Sequence, residues 1–294
     1  MWKSSTRSSA SSSTTRTARR SMTGRSPGSS IMVPPEGSRA EVHPDTMAVM
    51  SQLFGEVSDS YHEARPGYPP AIAEAILAYH GEVPARLVEV GAGTGLATGV
   101  LLGLGAPMTC VEPDARMAEV LAARFPQVEV VVAPFEEWSP PSGGVPALAC
   151  AMAWHWLDPD TRNRRAYDAL APGGTLAVFA HEYGYVDPAH SAALTDAFRS
   201  ADPARQPSRP QGWFREDITG SGLFTDVRIE LIRRAVPLDT AAYQRLVSTF
   251  SPQLKRPPEL RARVLAAVGA AVDGFGGTVV LDLRTTLVLA RRPT

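Results

Sequence analysis

Cysteine is scarce in this chain: 294 residues hold only Cys110 and Cys150, each inside a short apolar run. Two thiols so placed cannot form a disulfide framework and lack the spacing of a metal site, so both are read as buried, reduced thiols and no metal is expected. Lysine is nearly missing as well, at Lys3 and Lys255 only, which leaves almost all basic charge on arginine. An excess of either sign is absent, since 29 basic and 30 acidic residues give a net charge of −1. That balance removes the global electrostatic reason to expect a nucleic-acid partner. No apolar stretch is long enough to span a bilayer, so no membrane segment is read. The remaining class is a soluble, cytoplasmic globular protein, a monomer or homodimer, with ample chain to bury a full core.

Residues 1–45 are rich in Ser, Thr and Arg and carry no acidic side chain before Glu36. Such a segment buries too little apolar surface to offset its ordering entropy and is expected to be disordered. Three origins stay open for it: a start codon placed upstream of Met32, Met47 or Met50, a transit peptide, or a basic interaction tail. The folded domain is then residues 46–294.

Beyond the tail, strand and helix patterns alternate. Residues 86–90 read as a first strand, followed by a glycine turn and a helix over 96–104. A second strand, 108–111, precedes a helix opened by Pro113 and running to about Arg124. Strands at 128–132 and 147–152 follow. Asp158-Pro159 reads as a helix start, a capping carboxylate before a proline at the first helical position. Pro172-Gly173-Gly174 then turns the chain into a fifth strand, 175–180. This alternation predicts right-handed crossovers and a parallel sheet with helices on both faces. Two further strands are expected at 226–232 and 279–290. Helical patterns over 240–250 and 258–272 lie between them, with a stripe of Leu260, Val264 and Val268 that reads as packing.

Gly91-Ala92-Gly93-Thr94-Gly95 stands where an open α/β sheet places its ligand site, after the first strand and before a helix. Glycine there allows positive φ and lets a ligand approach the backbone. The dinucleotide fingerprint of dehydrogenases wants glycine where Leu96 stands, which disfavours a nicotinamide oxidoreductase. Glu112, the residue ending the second strand, can accept hydrogen bonds from both hydroxyls of a ribose. Glu89 is a carboxylate inside an apolar strand and needs partners. It either braces the amides of the glycine turn or faces a ligand ammonium.

At this point a family resemblance appears. Glu89-Val90-Gly91-Ala92-Gly93-Thr94-Gly95, Cys110-Val111-Glu112-Pro113-Asp114 and Leu170-Ala171-Pro172-Gly173-Gly174-Thr175-Leu176 resemble, in order, three motifs of class I S-adenosylmethionine-dependent methyltransferases. Tyr61-His62-Glu63-Ala64-Arg65-Pro66-Gly67-Tyr68-Pro69 and Trp154-His155-Trp156-Leu157-Asp158 resemble the trans-aconitate methyltransferase-like group of small-molecule enzymes. The resemblance implies a Rossmann-like, seven-stranded, mostly parallel sheet whose last strand is antiparallel, with helical lid pieces from 46–80 and 239–273. It implies S-adenosyl-L-methionine as cofactor and a small-molecule acceptor methylated on oxygen or nitrogen, a carboxylate being one option. A non-catalytic S-adenosylmethionine-binding partner or sensor is the alternative.

Particular residues acquire roles through the same resemblance. Gly91, Ala92, Gly93 and Gly95 would line the methionyl and ribose portion and Glu112 would hold the ribose. Pro113 and Met117 would flank the adenine, and Phe135-Glu136 would meet its edge. Pro134 replaces an aspartate that commonly reaches the adenine amino group, so Glu136 or Glu137 would take that contact. Tyr61 and Arg65 lie on a segment that closes over the cofactor, Arg65 either pairing with the methionyl carboxylate or tying this segment to the body. Tyr61 and His155 are the catalytic candidates. His155 serves as base or hydrogen-bond donor, or simply caps the next helix; Trp154 offers its face to a sulfonium, and Trp156 packs. His181 and Glu182 either line the pocket or sit in a surface loop.

Overall fold

The computed structural model describes residues 62–205 and 212–294. The expected tail, Tyr61 and the 46–61 part of the expected lid lie outside these residues. Seven strands form one sheet in the order β3-β2-β1-β4-β5-β7-β6. They are β1 (Leu87–Val90), β2 (Met108–Glu112), β3 (Glu129–Val132), β4 (Val145–Ala151), β5 (Leu170–Tyr185), β6 (Thr225–Asp239) and β7 (Thr278–Arg291). Neighbours among β1 to β5 pair in parallel, while β7 runs antiparallel to both β5 and β6. The expected seven-stranded, mostly parallel sheet with an antiparallel last strand is what the chain builds. Its central strands are largely apolar, Glu89 of β1 and Thr109 of β2 apart, because both faces are covered.

On one face lie α1 (Ala71–His80), α2 (Thr98–Leu101, continued by one 3-10 turn) and part of α3 (Ala115–Arg124). Ile72, Ile76, Leu101 and Leu121 pack there against Leu87, Ala149, Phe179 and Leu287. The opposite face is covered by α4 (Arg162–Ala169) and α6 (Trp213–Gly220), which seat Ala166, Phe214 and Ile218 on Val88, Leu148, Val178 and Val288. The alternation along each strand sends successive side chains to these two cores.

The helix expected to start at Asp158 begins at Arg162 instead. The Asp158 carboxylate is used by the preceding turn, accepting the Asp160 N–H at 3.0 Å and the Thr161 hydroxyl at 2.9 Å. The C-terminal strands are longer than their sequence pattern implies. β5, β7 and β6 run past the end of β4, pairing Tyr185 with Leu281 and Leu238 with Val279. This three-stranded extension carries a third core. Tyr243 and Val247 of α7 (Thr240–Ser248) join Val264, Val268 and Val272 of α9 (Pro258–Gly274) and Leu194 of α5 (Pro188–Ala201) over Val279 and Leu281. A short helix, α8 (Ser251–Leu254), links α7 to α9. The expected helical insertion between β6 and β7 is therefore present, and α5 adds a helix to it.

Candidate active site

A cavity of about 740 Å³ opens at the carboxyl edge of β1, β2, β4 and β5. The glycine turn after β1 forms part of its lining. Gly91, Gly93 and Gly95 all have positive φ, at +66°, +56° and +88°. The first and third are also demanded by packing. A Cβ on Gly91 would lie 2.4 Å from the Ala153 Cβ, and one on Gly95 would lie 2.5 Å from Phe125 and 2.7 Å from Leu121. Gly93 differs: the nearest atom to its missing Cβ is the Met117 Sδ at 3.9 Å, and Gly93 lines the cavity. Its bare backbone is exposed to whatever the cavity holds.

Glu112 sits beside it. Its Oε2 accepts the Gly93 N–H at 2.7 Å and its Oε1 accepts the Asp114 N–H at 3.0 Å. Burial pushes this carboxyl up to about 7, partly opposed by those two amides. Asp114 in turn caps α3, accepting the N–H groups of Arg116 at 2.9 Å and Met117 at 3.0 Å, which places Met117 at the cavity. Glu89 also lines the cavity, yet the Glu89 side chain does not brace the glycine turn. It accepts the Thr98 hydroxyl at 2.6 Å and lies 3.8 Å from the Cys110 thiol. Glu112 is the carboxylate that holds the turn. Burial pushes Glu89 up to about 7 as well.

Of the residues singled out in sequence, Arg65, Glu89, Gly91, Ala92, Gly93 and Glu112 come together on this cavity, joined by Pro113, Met117, Phe135 and Glu136. Pro134 and Glu137 line it too. The Phe135 ring is buried, stacked near Trp138 at 6.2 Å with Arg165 above it at 5.7 Å. The Glu136 carboxylate accepts the Asp158 N–H at 3.3 Å.

Three expected residues are not on the cavity. Gly95 is packed beneath α3 against Phe125 and Leu121. Trp154 is buried in the core on the α4–α6 face, and its indole N–H donates to Asp217 at 2.8 Å, where Arg162 and Asn163 also converge. His155 lies off the cavity with its ring tilted on Trp156 at 4.5 Å. The cause is a tight turn after β4. Met152 adopts a φ of +54° and the Trp156 N–H returns to the Ala153 carbonyl at 2.8 Å. The turn carries Trp154 into the core and brings Trp156, expected only to pack, to the cavity.

The segment before α1 reaches the site from the other side. His62 Nδ1 is 3.1 Å from the Thr94 hydroxyl. Arg65 donates to the Thr249 hydroxyl at 3.2 Å and its carbonyl at 3.0 Å, lies over the Phe250 ring, and lines the cavity. It therefore ties this segment to the helical insertion while facing the site. Arg234 of β6 donates to the Gly67 carbonyl. His181 is not in a surface loop: it is buried on β5, lines the cavity, and stacks on Tyr68 at 4.1 Å. Glu182 projects to the opposite face and accepts the Gly212 N–H at 2.6 Å. His181, Tyr68, Tyr183 and Met152 are the residues whose place in the site the sequence left open or did not mark. Strand alternation from His181 to Tyr183 was the available signal, once β5 is carried past Ala180.

Residues 88–178 match the family model described as a methyltransferase domain, and they span β1 to β5 with the glycine turn and Glu112. The match takes in less than a third of the chain. An uncharacterised methyltransferase of Mycobacterium tuberculosis is 34% identical over 129 residues, covering 44% of this chain and 52% of that protein. A trans-aconitate 2-methyltransferase of Paracidovorax citrulli is 34% identical over 97 residues, covering 32% of this chain and 37% of that one. The chain thus spans about half the length, or less, of these curated relatives. Among solved structures, a candidate type II methyltransferase from Anaeromyxobacter dehalogenans superposes with a TM-score of 0.61 at 21% identity, over 78% of this chain and 99% of its own. The likeness is one of fold. Among the described residues no helix is long and apolar enough to cross a membrane, and no cluster of His, Cys, Asp and Glu could hold a metal ion.

Proposed function

We propose that this chain is an S-adenosylmethionine-dependent methyltransferase acting on an oxygen or nitrogen of a small molecule. The observation that carries the reading is the pairing of Glu112 with Gly93. A carboxylate fixed by two backbone amides stands beside a backbone position that has no Cβ, on a cavity large enough for a nucleoside and a second molecule. Glu112 has lone pairs left for two ribose hydroxyls, and Gly91, Ala92 and Gly93 leave room for the adjoining chain of the ligand. Pro113 and Met117 would flank the base, and Arg65 would take the amino-acid carboxylate. When bound, the cofactor supplies a methyl group on a positively charged sulfur. The protein's share is alignment and exclusion of water, and positioning alone can supply ~7–11 kcal/mol.

The distribution of charge favours an acceptor that needs no strong base. The lining carboxylates are Glu89, Glu112, Glu136, Glu137 and Asp158, all on the β1, β2, β3 and β4 side. The side formed by the covering segment and β5 presents Arg65, Tyr68, His181 and Tyr183. With Arg65 engaged by the cofactor, an acceptor lying there meets aromatic and imidazole side chains and no carboxylate, which leaves an anionic oxygen such as a carboxylate unrepelled; such a nucleophile carries no proton to remove. The relatives named trans-aconitate 2-methyltransferases agree with that class. Incubating the protein with methyl-labelled cofactor and a panel of small carboxylic acids, phenols and amines tests the reading. Label recovered in a methyl ester supports it. S-adenosylhomocysteine that binds without any transfer to the panel or to cell extracts points to the sensor alternative.

A further inference from the structure

We propose that β6 is a dimer interface: this open edge of the sheet pairs antiparallel with β6 of a second copy, with Ile232 opposite itself across the two-fold. β6 ends the strand order and has β7 on one side only. Its other side turns main-chain N–H and C=O groups outward, a template for a further strand. The opposite edge strand, β3, is 4 residues long, whereas β6 runs for 15. Pairing of β6 with β7 is regular from Arg228 onward. A bulge, with Asp226 at a φ of +47°, disturbs the edge before it, and Pro237 has no N–H to donate beyond it. Between these two stops, Arg228 to Val236 form an undisturbed edge with Ile232 at its middle. Ile229 and Leu231 stand on it 45% and 58% exposed.

Symmetry and charge select the register. Identical antiparallel strands about a two-fold place one residue opposite its own copy and pair the others symmetrically around it. Centring on Arg228, Glu230, Arg233 or Arg234 sets a charge against itself, and centring on Leu231 sets Arg228 against Arg234; like charges directly opposite are destabilising. Centring on Ile229 keeps only Arg228 to Glu230 within the regular stretch, and centring on Ala235 carries Pro237 into the ladder. Ile232 uses the whole stretch. It brings Glu230 opposite Arg234 of the second copy, twice, with Ile229 opposite Ala235 and Leu231 opposite Arg233. Among the described residues neither Glu230 nor Arg234 forms an ion pair. Glu230 is exposed. Arg234 donates to the Gly67 carbonyl, and burial lowers its pKa with no carboxylate opposing the shift. The second copy thus supplies each of these charges with its partner. A ladder from Arg228 to Val236 adds about eight to ten main-chain hydrogen bonds, the number a standard interface carries.

Sedimentation equilibrium of the full chain tests the interface. Wild type should show a monomer–dimer equilibrium at concentrations up to ~200 µM, and E230R, which sets arginine opposite Arg234, should weaken it at least ~10-fold. Glu230 is exposed, so the variant should keep the wild-type thermal midpoint. Cysteine pairs test the register. Ile229 and Ala235 lie about 20 Å apart along one strand and meet only across the two-fold. I229C/A235C should therefore form a disulfide-linked dimer under mild oxidation, and neither single variant should. A wild-type monomer at the highest concentration overturns the proposal. So does a dimer that is indifferent to E230R or stays unlinked in I229C/A235C. Linking by I229C alone overturns the register, since it belongs to a pair centred on Ile229. None of these readouts depends on the reaction in the cavity.

Discussion

Cofactor affinity should rise with pH, and Glu112 should be the reason. The ribose hydroxyls are donors, and they bind the ionised carboxylate better than the neutral acid. In the ligand-free protein this carboxyl is pushed up to about 7, mainly by burial. Ligand that binds only the ionised form has an apparent Kd multiplied by one plus the ratio of protonated to ionised Glu112. For a pKa near 7 that factor is about 11 at pH 6 and about 1.1 at pH 8, a tenfold gain in affinity. Isothermal titration of S-adenosylhomocysteine at half-unit steps measures it directly. E112Q should bind ~10–100-fold more weakly than wild type at pH 8 and show a flat profile, having lost a charge-assisted contact. E89Q should keep the slope, because the Glu89 carboxylate is engaged by Thr98 and not by the glycine turn. A flat wild-type profile, or a slope that survives in E112Q, refutes the reasoning.

Three further outcomes follow from the same geometry. Glu89 has its folded pKa raised to about 7, so its contribution to stability is full below the ordinary carboxylate range and is lost as pH rises through 7. E89Q should therefore stabilise the ligand-free protein at pH 8 by about 1–3 kcal/mol and change little at pH 5, read as thermal midpoints. G95A forces a Cβ to within 2.5 Å of Phe125 at a φ of +88° and should cost ~2–5 kcal/mol by urea unfolding. D217A leaves the Arg162 guanidinium, 5% exposed, without its carboxylate and should cost ~3–5 kcal/mol by the same assay.

The half of the molecule that carries the glycine turn and Glu112 was largely legible in the residues, because its signals are local. Apolar runs bounded by turns mark β1 to β5, and Gly93 and Glu112 sit at strand ends that topology alone brings together. The other half depends on contacts distant in sequence. Nothing near His181 says that β5 continues to Tyr185; its partner is β7, a hundred residues on. α5 shows two large apolar anchors, Leu194 and Phe198, on an alanine-rich helix, and gains its meaning from α9. The Trp154-His155-Trp156 run is ambiguous because strand alternation fails there. The positive φ at Met152 and the turn after it reverse which side chains face the cavity. A chain reading of consecutive residues assigns His155 to the site, whereas the turn gives that edge to Trp156 and leaves His181 as the buried imidazole on the cavity.

The central claim is that the cavity beside Gly93 and Glu112 is an S-adenosylmethionine site. Isothermal titration of the intact chain with S-adenosylhomocysteine at pH 8 tests it most directly. A stoichiometric complex of micromolar Kd, abolished by G93D, is the predicted result. No heat of binding from either S-adenosylhomocysteine or S-adenosylmethionine to the folded wild-type protein would contradict it.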